Sequence, residues 1–480
     1  MQRTVQESLV RLGLLSATPP VSLLAAAFSA AGHELALVGG PVRDAFLGRE
    51  CKDLDFTTDA TPDQILAIVA TLTKAHWDIG RAFGTIGARI AGETVEITTY
   101  RTDSYDQETR KPAVEFGQSL ETDLSRRDFT VNALALRLPE MVLVDPSGGI
   151  EDLLAGILRT PTSPQISFGD DPLRMLRAVR FHAQLGLVPD EDTMAAMGSM
   201  APSLSIVSAE RIGDEIAKMM KTVNPRAGIE LLVATGLADI VLPEVPALKL
   251  ETDEHHHHKD VYEHSLTVLD QAIELERARA ASPDAAPDLV LRLAALLHDI
   301  GKPATKRNEA GGTVTFYHHD IVGSKLAKKR LRELRYDNDT INDVARLIEL
   351  HLRFFGYTEG AWTDSAVRRY VRDAGPLLER LHILTRADVT TRNKRKSDRL
   401  SFAYDDLEKR IAELAELEEM QAVRPDLDGE AIMALLKIGP GREVGEAYRF
   451  LLELRLDEGP LPTGEAEKRL LDWWAQRMLG

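Results

Sequence analysis

The spacing of apolar positions changes character along the chain. Early on, short runs of period two alternate with runs of period 3.6, and later nearly every run has helical spacing. An apolar strand enters the Gly39-Gly40 turn, Arg43 and Asp44 open a helix, and a second short strand carries Asp53 and Asp55. A helix is predicted from Thr61 to Thr73, with Pro62 in its first turn. Val95, Ile97 and Thr99 alternate with Glu96 and Thr98, so strands are predicted over Gly84–Ile90 and Thr94–Thr99. Tyr100–Phe116, rich in charge and turn formers, reads as a mobile loop. Asp123–Ala135 reads as a helix capped by Ser125 or Asp128, and Val142–Asp145 as a last strand. Such alternation implies a small α/β head with a mixed sheet. A helix then starts at Asp170, Pro189–Leu250 is helical and alanine-rich, and a composition shift at Glu251 opens a further helical region. The fold class expected is therefore α+β and multidomain.

Length and charge narrow this picture. At 480 residues the chain exceeds one core and suggests three or four domains. No apolar run is long enough to span a bilayer, and Val21–Ala31, flanked by Glu7 and Pro19-Pro20, reads as a buried helix instead of a signal core. The single cysteine, Cys51, excludes an internal disulfide and fits a reducing, cytoplasmic location. A net charge of -17 argues against indiscriminate RNA binding. It leaves room for a local basic cleft, for which Arg101, Arg110, Lys111, Arg126, Arg127, Arg174, Arg177 and Arg180 are the candidates.

The candidate chemistry begins in LVGGPVRDAFLGRECKDLDF, residues 37–56. Residues two apart on a strand face the same way, so Asp53 and Asp55 can grip one cation. Gly39 and Gly40 let backbone N–H groups approach an anion, and Arg43 adds a forked positive charge. Together they suit Mg²⁺ and a triphosphate. Glu96 is either a third carboxylate or a solvent-facing residue of its strand.

The order of strand, Gly-Gly, Arg-Asp and Asp-x-Asp resembles the head of the class II tRNA nucleotidyltransferases, the family of CCA-adding enzymes and bacterial poly(A) polymerases. RRDFTVNA, residues 126–133, is similar to that family's ribose-recognition motif, which implies that Arg127, Asp128 and Asn132 contact the sugar and phosphates of a nucleotide. In DDPLRMLRAVRFHAQLGL, residues 170–187, Asp171, Arg174, Arg177 and Arg180 recur every third residue on one face. The family uses such an Asp and Arg as a protein template. By resemblance Asp171 and Arg174 read the pairing edge shared by cytosine and adenine, while Arg177 and Arg180 reach the triphosphate. The family usually begins this motif with Glu-Asp where this chain has Asp170-Asp171.

In the C-terminal half, LRLAALLHDIGK, residues 291–302, ends an apolar helix in His298-Asp299, and a buried ionic pair calls for a partner such as a divalent metal. These residues resemble the HD phosphohydrolase superfamily, with His264, His298, Asp299 and Asp388 as ligands. His318, His319 and His351 are spare ligands for a second metal position, and the donor set leaves Mg, Mn, Ni, Fe and Zn open. The four histidines 255–258 read as mostly solvated. The divisions expected are an extension (1–20), a nucleotidyltransferase head (21–145), a neck and body (146–250), an HD domain (251–400) and a helical tail (401–480) ending in a Trp473-Trp474 helix.

The function implied is template-independent CCA addition to tRNA from CTP and ATP, with Mg²⁺ in the head and no membrane partner. The alternatives are a poly(A) polymerase using ATP alone, an HD-type metal phosphohydrolase, or an RNA-binding protein with an inactive head.

Overall fold

In a computed structural model, residues 5–479 are described apart from 51–52, 79, 82–83, 105–112, 117–118, 251–259, 310–313, 355, 358–361, 391–392 and 419–423. Cys51, Arg110, Lys111 and the histidines 255–258 therefore lie outside the described residues. The chain divides into two compact units, Met1–Val241 and Leu242–Gly480.

The first unit is built on a seven-stranded sheet. Its helices α1 (Val5–Ser16) and α2 (Pro19–Ala30) precede strand β1 (Leu35–Val38), helix α3 (Gly40–Leu47) and β2 (Leu54–Thr58). Then come α4 (Pro62–Leu72), β3 (His76–Trp77), β4 (Thr85–Ile90), β5 (Glu93–Thr99), β6 (Arg101–Ser104) and β7 (Ala113–Phe116). Helix α5 (Leu120–Ser125) leads to β8 (Ala135–Leu138) and β9 (Val142–Val144). The sheet order is β3-β4-β5-β2-β1-β8-β9; β2 and β5 run parallel and every other pair antiparallel, so the sheet is mixed as expected. Helix α4 starts as the sequence says, with Thr61 and Gln64 forming a reciprocal capping box and Pro62 in the first turn. Val21, Leu24, Ala25 and Phe28 of α2 are buried, in keeping with a core helix. Among the described residues no single helix is long and apolar enough to cross a membrane; α1 and α2 together pass that test but are bent by 76°.

Three local expectations are corrected. Tyr100–Phe116 is not all loop, because β6 and β7 pair antiparallel from Arg101↔Phe116 to Ser104↔Ala113. Asp123–Ala135 is not one helix: α5 ends at Ser125, so Arg126-Arg127 follow a helix C-terminus and gain nothing from an N-terminal dipole. Beyond it Phe129 is extended, and the Thr130 N–H turns away to the carbonyl of Arg159 at 2.8 Å. The helix expected from Asp170 begins three residues later: α6 (Gly149–Ala155) is followed by α7 (Pro164–Asp170), which ends at Asp170, and then by α8 (Leu173–Leu185). Asp171 sits in the corner between the last two with φ -145°, and is not part of the helical stripe.

Helix α8 buries Leu173, Leu176, Val179 and Phe181 and packs on α10 (Ala209–Met220) and α11 (Pro225–Ala234), with α9 (Glu191–Met200) and α12 (Ala238–Val241) completing this helical part.

The second unit is mostly helical but, unlike the all-helical expectation, includes a short antiparallel pair, Arg307–Asn308 with Val314–Thr315. It holds α13 (Val261–Arg279), α14 (Leu289–Leu297), α15 (Lys302–Thr305), α16 (His319–Glu333) and α17 (Asn338–Leu350), followed by a helix at Leu378–Ala387. Leu291 to Leu297 are all buried, so the apolar run forms the central helix of this core. Gly301 is required where it stands: a Cβ there would meet the His319 carbonyl oxygen at 2.1 Å and the Gly323 nitrogen at 2.7 Å. A charged helix spans Lys394–Glu418, and a small satellite core gathers Ile432, Leu451 and Leu470, against which Phe450 and Trp473 stack at 4.8 Å.

Candidate active site and metal-ligating cluster

In the head, β1 runs into Gly39, which has φ +70° and caps α3. A side chain there would be strained, and its Cβ would come 3.2 Å from Arg127 Nη1, so Arg127 roofs the glycine turn. Asp53 immediately precedes β2, and Asp55 on β2 pairs in register with Glu96 on β5. Burial raises the Asp55 carboxyl above its ordinary range, Glu96 and Asp53 add to the rise, and Arg127 and Arg43 pull it back. The early carboxylates and these two arginines therefore share one electrostatic neighbourhood.

A chain of ion pairs and hydrogen bonds links this neighbourhood to α8. Arg43, buried, donates to Asp44 at 2.9 Å and to Asn132 Oδ1 at 2.7 Å. Asn132 donates to Asp128 at 3.0 Å, and Arg177 Nε donates to the other Asp128 oxygen at 2.8 Å. Burial would raise Asp128, but Arg177 and Asn132 outweigh it and hold the carboxyl down at about 2. Asp128 is thus an internal anchor, saturated by its neighbours. Arg180 donates to Glu215 at 2.7 Å and to Gln184 at 3.1 Å. The guanidinium groups of Arg43, Arg177 and Arg180 lie 5.4, 5.5 and 4.3 Å from the Phe181 ring centroid.

The two residues expected to read the base have different settings. Asp171 accepts from the Leu173 N–H at 3.1 Å and from Arg211 Nη2 at 2.7 Å. Arg174 donates to Ser167 Oγ at 2.8 Å and to the Arg126 carbonyl at 2.6 Å. Sequence reasoning missed Arg211, Ser167, Asp123 and Glu215. Buried Asp123 accepts from Arg127 at 3.3 Å, and Glu215, only 4 % exposed, also lies 3.9 Å from Arg177 and 3.6 Å from Lys218. Glu215 had a legible signal: it interrupts the apolar stripe Ile212, Ile216, Met219, where an acid must have a cation. Arg211 had none, being an exposed arginine near a helix start.

The second cluster lies in the second unit, where among the described residues two groups of possible metal ligands occur, His264, His298 and Asp388, and Asp299, His319 and His351. His264 Nε2 is 2.9 Å from Asp388 Oδ1, and His298 Nε2 is 3.3 Å from Asp299 Oδ2 and 3.6 Å from Asp388. Each histidine is turned by its other nitrogen: Nδ1 of His298, His319 and His351 contacts the carbonyls of Ala295, Phe316 and Ile348 at 2.8, 2.8 and 2.6 Å, and that of His264 contacts Thr390 at 3.1 Å. Anchoring at Nδ1 aims Nε2 into the pocket, the arrangement a metal-bound imidazole uses. Burial alone would raise Asp299 and Asp388, yet His298 and their other cationic neighbours hold both well below the usual range. The same carboxylates overcome the burial of His298 and push it up to about 10. This pocket is short of positive charge, and its residues fit a divalent cation. His318, considered as a spare ligand, is exposed and belongs to neither group.

A carboxylate-bearing mixed sheet with an arginine-roofed glycine turn, followed by helices, defines a polymerase-type nucleotidyltransferase head. The family model for the Poly A polymerase head domain matches residues 35–159, that for the probable RNA and SrmB-binding site of polymerase A matches 186–248, and that for the HD domain matches 261–393. The A-adding tRNA nucleotidyltransferase of Deinococcus radiodurans is 34% identical over 457 residues, 93% of this chain and 96% of that protein. The CCA-adding enzyme of Bacillus subtilis is 41% identical over 208 residues, 43% of this chain and 51% of that enzyme, so this match spans about half its length. The crystal structure of the Bacillus stearothermophilus CCA-adding enzyme in complex with CTP has the same fold, with a TM-score of 0.66 at 24% identity over 96% of this chain and 99% of that one. The chain belongs to the tRNA nucleotidyltransferase family and carries an HD domain.

Proposed function

We propose that this enzyme completes the 3′ end of tRNA, adding C, C and A from CTP and ATP without a nucleic-acid template. The observation that carries the reading is the crowding of Asp53, Asp55 and Glu96 next to a glycine turn roofed by Arg127. A buried carboxylate with two others nearby favours a cation among them, and an all-oxygen donor set suits Mg²⁺. Asp53 and Asp55 would hold it, with Glu96 beside them; Mg²⁺ supplies charge neutralisation at the triphosphate and favours ionisation of the attacking hydroxyl.

The chain's own residues do the positioning. The 3′-oxygen of the RNA forms a bond to the α-phosphorus as the bond to pyrophosphate breaks, and catalysis consists mainly of alignment and fixed charge. Arg127 and the N–H group at Gly40 receive the phosphates, whereas the Gly39 N–H is spent on the Leu134 carbonyl at 3.0 Å. Asp128 and Asn132 serve the sugar side by fixing Arg43 and Arg177. Arg180, held by Glu215, contributes positive potential. Asp171 accepts from the amino group of cytosine or adenine and Arg174 donates to the adjacent ring acceptor; guanine and uracil present the reverse order. Asp171 reaches a base by exchanging its bond to Arg211. Its one cysteine suits the reducing cytosol as the place of action.

A second reading, A addition alone, is favoured by one observation: the relative matched over nearly its full length is an A-adding enzyme. Polyadenylation and an HD hydrolase as the main activity are not favoured by the named relatives. Supplying tRNA that ends before CCA with CTP alone decides between the first two. Incorporation of C is expected; incorporation of A on a CC-ending tRNA with none of C would establish the second. Asp55→Ala should lower incorporation by orders of magnitude with the fold unchanged, and wild-type incorporation by that variant would overturn the site.

A further inference from the structure

Helix α16 is basic on a chain that is strongly acidic. Residues 320–335 hold six basic residues against two acidic ones, while the chain as a whole carries a charge of -17. The helix packs on α17 and buries Gly323, Ser324, Ala327 and Leu331. Lys325, Lys329 and Arg332 follow one another at steps of four and three, so they share the opposite face, and all three are exposed. Lys328 stands half-buried at the edge of that face.

Arg330 shows what a structural cation of this helix looks like, held by Glu244 at 3.0 Å and by Glu333 at 3.0 Å. Lys329 reaches Glu333 only at 4.0 Å, and among the described residues Lys325, Lys328 and Arg332 stand in no ion pair. Arg332, in the last turn, suits the helix dipole, but Lys325 and Lys328 lie mid-helix and gain nothing from it. Like charges three and four apart on a helix repel, so the stripe costs the fold a little, and an anion laid along it removes that cost. Apolar groups stand beside these cations. Tyr317, two residues before the helix, is 64 % exposed, and Ile321, one turn before Lys325 on the same face, is 38 % exposed. Unpaired cations next to an exposed aromatic ring are the means by which a nucleic-acid strand is held, by phosphate and by stacked base.

We propose that the exposed face of α16 is a binding surface for RNA, with phosphates on Lys325, Lys328 and Arg332 and an unpaired base against Tyr317. From Lys325 to Arg332 the helix rises about 10 Å, and a nucleic-acid strand carries a charge for roughly every 3.4 Å of axis, so three phosphates match three cations. The exposed ring favours a ligand with π-faces over a lipid surface or a polyanion without bases. The inference rests on the proposed function only for the choice of tRNA as the RNA, and it adds a place of contact that the carboxylate-paired arginines of the head do not supply.

The test measures binding of tRNA that ends before CCA to the full chain without nucleotide, so it reads the same whether or not C or A is later incorporated. Lys325→Gln, Lys328→Gln and Arg332→Gln, combined, keep a good helix former at each position. Wild-type affinity should fall about 20-fold between about 50 and 200 mM salt, from three contacts at a slope of about -0.7 each, and the combined variant should lose most of that dependence. Tyr317→Ala should weaken tRNA binding by about fivefold or more and leave binding of heparin, which has no bases, unchanged. A wild-type salt dependence in the combined variant overturns the proposal. So does a Tyr317→Ala variant that binds tRNA as the wild type does or weakens on tRNA and heparin alike, and so does binding to phosphatidylserine vesicles with none to tRNA. Where the combined variant loses its helical circular dichroism, Lys325→Gln alone replaces it, and a slope flatter by about 0.7 is then required.

Discussion

Asp128 illustrates how a motif residue works without being exposed. Its carboxyl is held at about 2 against an ordinary 3.8, so it adds stability above the ordinary value that is lost as pH falls through the folded one. That displacement corresponds to about 2 kcal/mol. Asp128→Asn should therefore be less stable than the wild type by roughly this amount at pH 6, with the gap closing between about pH 4 and pH 2. Urea denaturation across that range checks it; a gap independent of pH would mean that Arg177 does not depend on the charge. Residues such as Asp53, Asp55, Arg127 and Asp171 were legible as candidates because they fall in motifs, although Asp171 lies outside the helical stripe its spacing predicted. Their partners were not, since Arg211 lies 40 positions from Asp171 and no pattern couples the two.

At the scale of elements, periodicity named strands and helices well wherever burial was one-sided, as in α4 and β5. It failed where backbone partners come from afar. Asp123–Ala135 has helical spacing, yet Thr130 bonds Arg159 and Ala135 pairs with Val38 and Val144, and these sheet contacts outweigh local preference. The split of α7 from α8 follows from Pro172, which favours an extended Asp171 before it. The turn after His298-Asp299 was legible as an HD motif, but nothing in the sequence told that Gly301 lies directly against α16. Gly301→Ala should force that helix away at the cost of about 1–3 kcal/mol, because the obstructing atoms belong to backbone and cannot rotate aside. A lower urea midpoint is the expected outcome, and an unchanged midpoint would show that the contact is slack.

Taken as a whole molecule, the chain carries a charge of -17 and yet collects arginines in one stretch. Sequence alone exposed that contrast without resolving it, because charge counting does not reveal which cations are already matched. Arg43, Arg127, Arg177, Arg180 and Arg211 lean on Asp44, Asp123, Asp128, Glu215 and Asp171 respectively. A guanidinium that already has a carboxylate beside it attracts little phosphate and displaces few condensed counterions when an RNA arrives. A freely basic surface loses affinity with a log–log salt slope of roughly -0.7 to -0.9 for each phosphate it neutralises. For tRNA on this protein a total slope of only about -2 is expected, the equivalent of two or three such phosphates. Filter binding between low and physiological salt measures it, and a steep slope would mean that these internal pairs open to receive the RNA.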